Sequence, residues 1–74
     1  NYTVLLEHLT KLKQSVEQNM LDEDELQEVK ALAGGEYKDT IASIIMDIDD
    51  FEFERAEAQL VELIDTLATE TETQ

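Results

Sequence analysis

The chain has no cysteine, no proline and no tryptophan, and only two glycines in 74 residues. Without cysteine, disulfides, Cys-ligated zinc or iron–sulfur clusters and thiol chemistry are excluded. Cations are scarce too, with five Lys and Arg against nineteen Asp and Glu, for a formal net charge of -14. That balance excludes nucleic acid or an anionic membrane as the main partner, because both need Lys and Arg against phosphate. No apolar run approaches the roughly 20 residues of a membrane span, and no signal peptide is read at the start. The chain opens on Asn1 rather than Met, which reads as a module taken from a longer protein. Its length allows one small domain and no second core.

What is present is helical. Helix breakers are almost absent, and no run of alternating β-branched or aromatic residues suggests a strand. Leu5, Leu9, Leu12 and Val16 recur at steps of four, three and four, which sets them on one stripe of a helix over about residues 2–18. Leu6 and His8 border that stripe. After a turn at 19–21, Asp22 or Asp24 caps a second helix over about 22–33, with Leu26, Val29, Leu32 and Ala33 on its apolar side. Gly34 is expected to stop it in the left-handed conformation.

A third helix spans about 36–48, where Tyr37, Ile41, Ile44 and Ile48 repeat the same spacing and Ile45 flanks them. Asp49 and Asp50 close it and are expected to cap a fourth helix over about 51–68. Phe53, Ala56, Leu60, Leu63, Ile64 and Leu67 form that helix's broad apolar face. Thr69 to Gln74 alternate Thr with Glu, bury nothing and read as a frayed or disordered acidic tail. Four amphipathic helices joined by short connections predict an all-α fold, a small up-down-up-down four-helix bundle over residues 1–68.

So small a core leaves little margin, and self-repulsion at this net charge narrows it further. Salt raised from low to moderate concentration is expected to increase the melting temperature, followed by circular dichroism. A fall over that range counts against the charge argument.

Few residues offer chemistry. His8 is the only imidazole, and beside an apolar stripe it reads first as a boundary residue. Its functional reading is as a phospho-acceptor, with Lys11 one turn away to steady the phosphate. The acidic clusters at 22–25 and 47–54 fail the calcium-loop pattern. Counting twelve positions from Asp47 or Asp22 gives Ala58 or Ala33 where Glu is needed. Helix-end acids are the reading they support, and no metal is expected. An acyl carrier needs Asp-Ser-Leu at a helix start, and this chain offers only Asp39-Thr40-Ile41, with Ser15 and Ser43 elsewhere. Catalytic triads find no residues, so no enzyme and no cofactor is expected. Of the two phenylalanines, Phe53 is in phase with Leu60 and belongs to the core, while Phe51 is a candidate exposed contact.

The segment Asp49-Asp50-Phe51-Glu52-Phe53-Glu54-Arg55-Ala56, followed by Leu60 and Leu63, resembles the last helix of a module in bacterial two-component proteins. That histidine-phosphotransfer-like (HPt-like) module sits at the C-terminus of hybrid sensor histidine kinases and some response regulators. The resemblance runs from about Val4 to Leu67, with a leucine-rich first helix, a short acidic second one and Glu52 where Asp is usual. Leu12 follows His8 and Lys11 where the phosphotransfer motif has the glycine that lets a partner active site approach the imidazole. The resemblance implies a cytoplasmic, non-catalytic interaction module in phosphorelay signal transduction, binding or positioning a receiver or histidine kinase domain. Its alternatives are a phosphorelay intermediate with His8 as acceptor and Lys11 as helper, or an acyl-carrier-like or oligomerisation bundle.

Overall fold

The computed structural model describes residues 2–72, with side chains through residue 70. It is an all-α small four-helix bundle, with no strand among the described residues. Helix α1 spans Thr3–Glu17, α2 spans Glu23–Leu32, a single 3₁₀ turn covers Gly35–Tyr37, α3 spans Lys38–Asp49 and α4 spans Phe53–Glu72. The 20-residue α4, about 30 Å long at 1.5 Å per residue, sets the 35 Å long axis of the molecule. Helix α1 lies most extensively against α4 and next against α2, while α3 lies along α4, touches α2 less and touches α1 least.

Each stripe faces inward. Leu5, Leu9, Leu12 and Val16 of α1 meet Ile41, Ile44, Ile45 and Ile48 of α3 and Ala56, Leu60, Leu63 and Leu67 of α4 in one core. From α2 only Leu26 and Val29 are buried. Every buried residue in this core is apolar. Phe53 and Ile64 are half-buried against it, as are Leu6, Ala33 and Tyr37.

Helix ends are where the structure departs from the sequence expectation. Leu32, expected on the apolar side of α2, is 39% exposed. Leu32 is the last residue of the helix, and it is Ala33, in extended backbone, that packs half-buried against the core. Gly34 does not supply the left-handed residue either. Its φ of -177° is extended backbone, and the positive φ belongs to Gly35 at 62°. The extra extended step carries the chain across to the 3₁₀ turn that starts α3 later than expected.

Asp22 is the cap of α2, its Oδ1 accepting the Glu25 amide at 3.2 Å. Asp49 and Asp50, by contrast, do not cap α4; they close the C-terminus of α3. Helix α4 starts at Phe53 rather than 51, because Phe51 is left-handed at φ 61° and cannot sit in a helix. At the other end α4 continues through Glu72, so residues 69–72 are helical rather than frayed; residues 73–74 lie outside the described residues. Thr66 and Thr69 donate their hydroxyls to the Glu62 and Asp65 carbonyls at 3.0 and 2.9 Å, and the Tyr37 hydroxyl bonds to Glu70. The last turns are therefore held by polar contacts, which an apolar stripe does not reveal.

Across α3 and α4 a polar clasp runs beside the core. Ser43 donates to Gln59 Oε1 at 3.2 Å, and Gln59 Nε2 donates to Asp47. Arg55 approaches the same Asp47 carboxylate at 4.0 Å. Residue numbers thus rise along α3 as they fall along α4.

Candidate functional site

The turn between α3 and α4 ends the first helix by a Schellman motif. Glu52 N–H bonds back to the Asp47 carbonyl at 2.8 Å and Phe51 N–H to the Ile48 carbonyl at 3.0 Å. The motif requires its penultimate residue to be left-handed, and glycine usually fills that place. The α1 end uses the same pair of bonds, Met20 to Ser15 and Asn19 to Val16, each at 2.9 Å. There the left-handed residue is Asn19 at φ 56°, a type that tolerates the conformation.

At the α3 end the residue is Phe51, which does not. A left-handed L-residue with a bulky side chain costs about 1–2 kcal/mol. The ring gains little from burial in return, since Phe51 is 68% exposed. Its one ring contact is an edge against Phe53, with centroids 5.7 Å apart and planes at 85°. Phe53 in turn packs on the core. The arrangement holds an aromatic side chain out from the end of the bundle.

Charge at the same turn also runs against helix stability. Asp47 and Asp49 occupy the last turn of α3 and Asp50 is its C-cap; no basic residue lies in that turn, and Arg55 of α4 approaches Asp47 alone. A helix C-terminus carries partial negative charge, so each carboxylate there is unfavourable by a few tenths of a kcal/mol. Asp49, Asp50, Glu52 and Glu54 are all exposed and flank Phe51 along the chain. Two local rules are broken within five residues, and such clusters of conflict are expected at functional positions.

His8 has a partner that the sequence did not reveal. Its Nδ1 lies 2.7 Å from Glu25 Oε2 of α2, and both side chains are largely covered. Glu25 is itself set by the Asp22 cap, which holds the first turn of α2. A carboxylate only accepts, so in the neutral imidazole this contact places the proton on Nδ1 and the lone pair on Nε2. Lys11, three residues along α1, is exposed. The pair was invisible to spacing because its members lie seventeen positions apart on different helices.

Tyr37 is the other polar contact that the apolar stripe concealed. Its ring meets Tyr2 edge-on at 5.4 Å, and its phenol is held well above the ordinary range. The first cause is the hydrogen bond that its hydroxyl donates to Glu70; partial burial and the charges of Glu70 and Glu36 add to it. A phenol raised in the folded state contributes stability that is full below its unfolded value, about 10, and is lost as pH climbs through the folded value. Phenolate absorbance is expected to show a step above pH 10 that disappears in Tyr37→Phe. A titration left unchanged by Tyr37→Phe refutes the bond to Glu70.

Ser43, one of the two serines considered for a carrier role, lies mid-α3 with its hydroxyl tied to Gln59. Among the described residues, no group of three His, Asp or Glu side chains is placed to hold a metal ion. Among them, too, no helix is long and apolar enough to cross a membrane. In comparison with known proteins, no family model, no curated protein and no solved structure matches this chain.

Proposed function

We propose that the chain is a non-catalytic helical interaction module that docks a protein partner through the turn between α3 and α4. The observation that carries this reading is Phe51, a phenylalanine held left-handed and 68% exposed among four exposed carboxylates. A side chain that is costly to the fold and idle in the core has its use outside it. The complementary surface is an apolar socket rimmed by Lys or Arg, which fits the ring and neutralises Asp49, Asp50, Glu52 and Glu54. The resemblance to two-component modules supplies the class of partner, a receiver or histidine kinase domain.

Titration calorimetry of the chain with phosphorylated receivers and with kinase cores tests this. Binding is expected with one of them, weakening as salt rises, and falling at least about tenfold in Phe51→Ser. Binding that survives Phe51→Ser unchanged overturns the assignment of the turn.

A second reading has one observation in its favour. With Nδ1 engaged by Glu25, the His8 imidazole keeps Nε2 as a nucleophile toward an acyl phosphate, with Lys11 to accompany the transferred phosphoryl group. Phosphate would pass to Nε2 as the partner's aspartate leaves as a free carboxylate. Acid-labile phosphate that appears on the chain and is lost in His8→Gln would put this reading in place of the first.

A further inference from the structure

Between α2 and α3 lies a hollow of about 250 Å³ with a floor of Ala33, Ile41, Ala42 and Ile45 and a rim formed by Lys30 and Lys38. It is smaller than the roughly 300–1,000 Å³ of small-molecule sites, and on the scale of one large side chain. Two of the chain's five cations therefore stand at one apolar depression in a molecule of net charge -14. Among the described residues neither Lys30 nor Lys38 makes an ion pair. An apolar socket with a basic rim is the complement of an exposed aromatic side chain flanked along the chain by exposed acids, and the same chain carries one at Phe51.

The ring cannot reach its own socket. The hollow occupies the first two turns of α3, and Phe51 lies beyond the other end of that helix, which is about 18 Å long. Its backbone is fixed by the Schellman bonds and its ring rests against Phe53. The match is therefore between molecules. Two copies laid side by side with their α3 helices antiparallel bring Lys38 of each beside Asp49 and Asp50 of the other. Exposed Met46, 65% accessible, and Ala42 occupy the middle of that face. The pairing uses the same surface on both copies and closes on itself about a twofold axis.

We propose that the Lys30–Lys38 hollow takes the Phe51 turn of a second copy of this chain, forming a reciprocal, weak homodimer. It rests on the reading of Phe51 as a docking side chain, and it makes self-pairing a competitor of the partner. Two bodies of net charge -14 repel over about 30 Å at 0.01 M salt and over about 8 Å at 0.15 M, so pairing strengthens across that interval.

Sedimentation equilibrium of the full chain from about 10 µM to about 1 mM tests it. At about 0.15 M salt the apparent mass is expected to rise from 8.4 kDa toward twice that. Phe51→Gly, and separately Lys30→Glu with Lys38→Glu, are each expected to weaken pairing at least tenfold. Adding Asp49→Lys and Asp50→Lys to the double lysine variant is expected to restore it. A wild-type chain monomeric throughout overturns the proposal and leaves the hollow to another occupant. Mass growing beyond the dimer overturns the twofold closure. Pairing unchanged in Phe51→Gly or in the lysine variant also overturns it. The two readings separate by calorimetry on the lysine variant, which is expected to keep partner binding. A monomeric wild type that still binds its partner through Phe51 sinks only the dimer. A chain with neither activity sinks both.

Discussion

Leu60→Ala is expected to remove about 2–5 kcal/mol of stability. Leu60 is fully buried on α4, in the same core as Leu9 and Leu12 of α1 and Ile44 and Ile48 of α3. Truncating it loses the transfer energy of three methyl or methylene groups and leaves a cavity that helices joined on every side cannot close. The whole domain, at roughly 0.05–0.15 kcal/mol per residue over 74 residues, has only about 4–11 kcal/mol to lose. No disulfide compensates. The melting temperature is expected to drop by at least about 10 °C, followed by ellipticity at 222 nm. Val61→Ala, one position along but 47% exposed, is the control and is expected to change it little. Equal losses at the two positions refute the inward placement of this face.

Phe51→Gly is expected to act in opposite directions on fold and function. Glycine takes the left-handed conformation at no steric cost, so the substitution relieves about 1–2 kcal/mol of strain. Against that stand the lost edge contact with Phe53 and the greater freedom of glycine in the unfolded chain. Because the ring is mostly exposed, the contact is weak and the net effect is a gain of about 0.5–1 kcal/mol. Partner affinity is expected to fall at least about tenfold at the same time, as for the loss of an aromatic anchor. Phe51→Ala separates the two effects, since it removes the ring and leaves the left-handed strain. It is expected to bind as poorly as the glycine variant without its added stability. Chemical denaturation of the three proteins gives the comparison, and a destabilised Phe51→Gly refutes the strain argument.

The core was readable from spacing because a helix repeats every 3.6 residues, and a stripe at four-three-four steps can face only one way. Leu5 to Val16 and Ile41 to Ile48 carry that signal without interruption. It weakens at ends, where the backbone decides. Leu32, the last residue of α2, is 39% exposed although the stripe expected it inside, and Ala33 packs on the core after it. The left-handed residue after α2 is Gly35 rather than Gly34, and neighbouring identical residues give periodicity nothing to choose between. Phe51 is harder still, since phenylalanine is among the last residues that sequence would place at a positive φ. Its exposure could be suspected from phase alone, but its strain could not. The partners of His8 and Tyr37 lie seventeen and thirty-three positions away, and polar pairs at such separations leave no periodic trace.

The interior has one further consequence. Every buried residue of the core is apolar, so inside it the fit of side chains, and no hydrogen bond, opposes the sliding of one helix along its neighbour. Polar ties at the rim oppose it as well. His8 with Glu25 fixes α1 against α2, Asp47 with Gln59 fixes the middle of α3 against α4, and Tyr37 with Glu70 fixes their far ends. A slip of α1 against α2 would part His8 from Glu25, and a slip of α3 along α4 would part Asp47 from Gln59 and Tyr37 from Glu70. They act as alignment pins that add to the fit of the core.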